Sequence, residues 1–87
     1  MKAVITVLGK DMVGILARVS STCADANANV LEVTQSILDE YFAMIMLVDI
    51  SNLNGSLDDL RANLEKNVSD MQIHVMHEDI FNSMHRI

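Results

Sequence analysis

The period of the hydrophobic pattern switches repeatedly along these 87 residues, between two and three-to-four, and this constrains the fold more than any other feature. Residues 2–8 are β-branched and apolar, too short for a helix and closed by Gly9, which predicts a strand. From Met12 the apolar residues recur at Ile15, Leu16, Val19, Cys23 and Ala26, one face of a helix, with Arg18, Ser21, Thr22 and Asp25 largely on the other side. Asp11 stands where the N-cap of that helix belongs, and Asn27 where a left-handed residue ends it. Residues 29–38 and 41–50 read as a hairpin turning at Asp39 and Glu40. In its first arm Leu31, Val33, Gln35 and Ile37 alternate with Glu32, Thr34 and Ser36, which gives one wet face. Its second arm is apolar on both faces, the pattern of a central strand.

A polar loop at 52–55 leads to Ser56 and Asp59, a capping pair ahead of the helical stripe Leu57, Leu60, Leu64 and Val68. Residues 71–78 alternate again as a last strand. Beyond it Ile80, Phe81, Met84 and Ile87 form a short helical stripe in the tail, 79–87. The order β-α-β-β-α-β predicts an α+β, ferredoxin-like βαββαβ sandwich: one domain over 1–87, a four-stranded antiparallel sheet with both helices on one face. The first and third strands, greasy on both sides, belong in the centre. The face the helices leave bare must then meet the tail, a second subunit or another protein.

Six basic against twelve acidic residues leave a charge of −6, which disfavours nucleic acid and anionic membrane as partners. An RNA-recognition sheet also needs aromatic stacking residues on its central strands, and Phe42 alone is offered. The longest apolar run, 41–48, is far short of the ~20 residues of a membrane span, and no secretory leader is visible. A single cysteine, Cys23, excludes an internal disulfide and lies on the buried stripe as a structural thiol. These features place the chain in the cytoplasm. His74 and His77 sit three apart in a strand and point to opposite faces, so no metal site is expected from them, and His85 lies in the tail. No catalytic set and no cofactor motif stands out, and the chain is not expected to be an enzyme.

The loop from Gly9 to Ile15 carries the functional signal. Gly14 reads as the third residue of the first helix, where glycine costs up to about 1 kcal/mol against alanine. Close approach of a backbone or ligand offsets that cost, or else tight packing of helix on strand does. The helix start also offers free amides suited to a carboxylate.

Asp11-x-x-Gly14-Ile15, a helix, then Asn29-Val30 opening the second strand resembles the ACT domain, a small-molecule-sensing module of amino-acid-regulated enzymes. The resemblance covers residues 2–78 and is nearest to small stand-alone ACT proteins and the domains of a glycine-cleavage repressor. It implies a homodimer that binds an amino acid or similar metabolite between subunits, with a protein partner to which the signal passes. The ligand site so implied comprises Asp11, Met12, Val13, Gly14, Ile15, Asn29 and Val30. Asp11 would accept from the ligand's ammonium, Gly14 and the Ile15 amide would allow close backbone approach, and Asn29 would bridge polar groups. Plain structural roles stand beside these: an N-cap for Asp11 and a turn residue for Asn29. Two positions depart from the family pattern, Val13 where proline is common and Asn27 where glycine is common.

Overall fold

The computed structural model describes residues 1–10, 13–68 and 70–84; the expectations placed on Asp11, Met12, His85 and Ile87 lie outside the described residues. Its elements are β1 (Lys2–Gly9), α1 (Ile15–Asp25), β2 (Asn29–Leu38), β3 (Tyr41–Asp49), α2 (Leu57–Asn67), β4 (Gln72–His77) and α3 (Glu78–Met84). All pairings are antiparallel and the strand order is β2-β3-β1-β4, so the two most apolar strands are central. This is the expected βαββαβ sandwich, with α1 and α2 on one face of the sheet.

The core lies between that face and the helices. Ala3, Ile5 and Val7 of β1 and Phe42, Met44, Met46 and Val48 of β3 pack with Ile15, Val19 and Cys23 of α1 and Leu60 and Leu64 of α2. Burying a leucine of this kind contributes about 1.5–3 kcal/mol. The start of α2 is fixed by a reciprocal capping box: Asp59 N–H donates to Ser56 Oγ and Ser56 N–H to Asp59 Oδ2, both at 3.1 Å.

The buried stripe of α1 is rotated from the one read off the sequence. Leu16 is 39% exposed, whereas Thr22 is buried. α2 packs on the Thr22 side of α1, which draws that side inward. The Thr22 hydroxyl donates to Arg18 O at 2.9 Å and accepts from Asn67 Nδ2 of α2 at 3.0 Å, so its burial leaves no polar atom unsatisfied.

β2 departs from the pattern of one wet face. Both of its faces are open beyond Val30, with Leu31, Val33 and Ile37 all exposed along this edge strand. A bulge between Val30 and Glu32 sets the register there. At the opposite edge α3 follows β4 without a loop and packs back on β1 and β4. Val4, on the sheet face away from α1 and α2, is buried, while Ile80 and Met84 of α3 remain exposed.

Candidate functional site

The handover from β1 to α1 is built differently from its sequence reading. α1 begins at Ile15, and Gly14 is its N-cap, with φ 73° and ψ 2°. Gly14 is therefore outside the helix, and the N-cap position expected of Asp11 belongs to a residue with no side chain. A Cβ on Gly14 would meet nothing within 4 Å, so neither close packing nor a close backbone explains it. Its positive φ does, since this backbone region disfavours every residue with a Cβ. The consequence is chemical. Gly14 O accepts from Arg18 N–H at 3.0 Å, but among the described residues no side-chain cap reaches the first amides of α1.

Gly9, at the end of β1, shows the opposite situation. The register that pairs Leu8 with Gln72 sets Gly9 beside Met71, and a Cβ there would lie 1.8 Å from Met71 Sδ. Close approach at this corner is thus made by the protein's own thioether, not by a ligand. Around it opens a cleft of about 600 Å³, within the range of small-molecule sites. Leu8, Ile15, Tyr41 and Met71 form an apolar wall, and Lys10, Arg18, Asp70 and Gln72 supply polar groups.

Lys10 leans toward the hairpin turn, 3.9 Å from Glu40 and 5.6 Å above the Tyr41 ring. Arg18 and Asp70 form no ion pair among the described residues, either with each other or with a third group. Asp70 has a left-handed backbone, φ 66°, which aspartate tolerates better than most residues.

Of the residues singled out in the sequence, Ile15 lines this cleft, Val13 and Gly14 are exposed beside it, and Asn29 and Val30 are elsewhere. Asn29 pairs with Asp49, which pairs with Lys2, whereas Gly9 pairs with Phe42 at the far end of the sheet. Seven residue steps along β1 at about 3.3 Å each put these ends roughly 23 Å apart. One chain does not bring Asn29 to the cleft. Leu8, Arg18, Tyr41, Asp70, Met71 and Gln72 line the cleft too and were not singled out as site residues in the sequence. Only Met71 carried a readable signal, because antiparallel pairing of the first and last strands sets it across from Gly9.

The end of the sheet near Asn29 holds a smaller polar recess, bordered by Asn27, Asn29, Asp49 and Asn52. Two of its groups, those of Asn27 and Asp49, are engaged. Asn27 Nδ2 donates to Asn52 O at 2.9 Å, and Asp49 Oδ1 accepts from Ser51 N–H at 2.9 Å. The Ser51 backbone N–H, its hydroxyl and the chain's own ammonium hold the Asp49 carboxyl below its usual value. Cys23 is fully buried, and burial pushes its thiol up to about 11, which keeps it protonated and a poor nucleophile. His77 Nδ1 accepts from Asp79 N–H at 3.2 Å. Among the described residues no three His, Cys, Asp or Glu side chains could hold one metal ion, and no helix is long and apolar enough to cross a membrane.

Comparison with known proteins agrees with this architecture. A UPF0237 protein of Listeria monocytogenes is 46% identical over 89 residues, all of this chain and all of that one. A UPF0237 protein of Clostridium perfringens is 51% identical over 90 residues, again spanning both chains completely. Among solved structures, an ACT domain protein from Streptococcus pneumoniae superposes with a TM-score of 0.77 at 36% identity, covering 93% of each chain. The ACT domain family model matches residues 2–78, and the chain belongs to the ACT domain family.

Proposed function

We propose that this chain is a stand-alone regulatory module of the cytoplasm, one domain over 1–87, that binds an amino acid or similar small metabolite as a homodimer and has no catalytic activity of its own. ACT domains are generally small-molecule-binding regulatory modules, and that general role is the starting point. The observation that carries the reading is the cleft where β1 meets α1. It is large enough for a small metabolite, and it lies beside a helix start that no side chain among the described residues caps. Those amides and the helix dipole favour a carboxylate.

In this reading Asp11, Met12, Val13, Gly14 and Ile15 of one copy face the ligand, and Asn29 and Val30 come from the second. The separation of Asn29 from the cleft within one chain supports that division, because only another copy could bring the two together. The exposed apolar residues of β2 (Leu31, Val33, Ile37 and Leu38) supply surface for the second copy.

A thermal-shift screen against the common amino acids tests the ligand. At a hundred times its dissociation constant a ligand stabilises by about 2.7 kcal/mol, a readily measured rise in Tm. Sedimentation equilibrium with and without that ligand tests the dimer. Flat melting curves throughout would overturn the sensor reading and leave a protein-interaction or dimerisation module built on β2. A monomer at micromolar concentration, with ligand present, would overturn the interfacial site.

A further inference from the structure

The two charged groups that line the cleft without an ion-pair partner are of opposite sign, and they do not pair with each other although they face the same space. Arg18 lies on α1, one turn after Gly14, and Asp70 stands two residues before β4. A guanidinium and a carboxylate held apart in this way match the two ends of a zwitterion, one for its carboxylate and one for its ammonium. The apolar part of the lining is Leu8, Ile15, Tyr41 and Met71, and the one further charge of the lining, Lys10, is turned to Glu40 at 3.9 Å.

Resting on the ligand-binding reading above, we propose that the cleft selects an α-amino acid with an apolar side chain. Arg18 takes the carboxylate, Asp70 takes the ammonium, and Met71 sets the length of side chain admitted. Met71 suits that role because its thioether already fills the notch over Gly9, and its unbranched chain can shift. With Lys10 engaged by Glu40 and the Tyr41 ring, an acidic side chain would lie against the apolar wall, and a glycine or serine would leave that wall unfilled. An α-keto acid would leave Asp70 without a partner.

The test is calorimetric titration of the wild-type protein with leucine, isoleucine, methionine and phenylalanine against glycine, serine, aspartate, glutamate and 4-methyl-2-oxopentanoate. The apolar amino acids are expected to bind at least roughly tenfold more tightly than the other five. Arg18→Gln and Asp70→Asn are each expected to weaken the best ligand by roughly 10- to 100-fold, the loss of one charged hydrogen bond. Both side chains are exposed and asparagine tolerates the backbone of Asp70, so the variants fold. Met71→Ala is expected to move the preference from leucine toward phenylalanine by roughly tenfold.

Binding of glycine, serine or an acidic amino acid as tightly as leucine would overturn this proposal while leaving the amino-acid site intact. So would wild-type affinity in both charge variants. No heat with any amino acid would overturn the underlying ligand reading as well.

Discussion

At the end of the sheet where β2 begins, every turn is tied to its neighbour; at the end where α1 begins, the chain is left open. α1 finishes in a Schellman arrangement, with Asn27 N–H on Ala24 O, Ala28 N–H on Cys23 O and Asn27 itself left-handed at φ 62°. Asn54 N–H then reaches Ala26 O, Ile50 N–H reaches Met1 O, and the amino terminus donates to Ser51 Oγ. The other end has a glycine as N-cap, an apolar wall partly in solvent and two charges, Arg18 and Asp70, without ion-pair partners among the described residues. One end of α1 is anchored, so the other can hold open amides and a cleft at little risk to the fold. Under the proposed function, stability and binding fall at opposite ends of one helix.

Substitutions at the two ends should differ in size and in kind. Asn27→Val places a β-branched residue at a left-handed position and removes the bond to Asn52 O, and a loss of about 2–3 kcal/mol is expected in urea denaturation. A loss below half of that would mean the anchored end bears less than its bonds suggest. At the open end Gly9→Ala should cost about 1–3 kcal/mol, because Met71 must move out of the way. A double-mutant cycle with Met71→Ala should show coupling between the two, and additivity would break the account of that corner.

Gly14→Ala should cost about 1 kcal/mol, from backbone conformation alone, and no neighbouring substitution should recover it. The smallest effect is one of pH. Asp49 has its folded-state carboxyl below the ordinary value of 3.8, so its contribution is complete above that value and is lost as pH falls through the lowered one. Thermal stability should lose this part only below about pH 4. Asp49→Asn should blunt that acid loss and lower stability by the same small amount at every pH between 5 and 7.

Much of the fold was legible because its signals are local. Ser56 and Asp59 announced a cap, Asn27 a left-handed stop, Asp39 and Glu40 a hairpin turn, and the doubly apolar third strand its central place. Each depends on residues a few positions apart, and the structure bears out each of them.

The misreadings share a cause. Thr22 is buried and β2 bare because of where α1 and α2 settle on the sheet, a packing outcome the hydrophobic period does not encode. Gly14 was read three positions too far into the helix, since apolar spacing gives the face of a helix more reliably than its first residue. The cleft draws on β1, α1, β3 and the approach to β4, and its Arg18 and Asp70 are 52 positions apart in sequence. Only the antiparallel register of β1 with β4 brings them to one corner. Asn29 and Gly14 show the reverse: the family motif joins them in sequence, and a single chain holds them at opposite ends of the sheet.

The central claim is that the open corner at the start of α1 is where a small metabolite sits. An amide-resolved NMR titration with the best amino acid from the thermal screen tests it most directly. The account predicts shifts centred on Gly9, Lys10, Gly14, Ile15, Arg18 and Gln72, with Asn52 and Asn54 unmoved. Shifts centred instead on the loop holding Asn52 and Asn54, or no shift at any amide up to millimolar ligand, would contradict it.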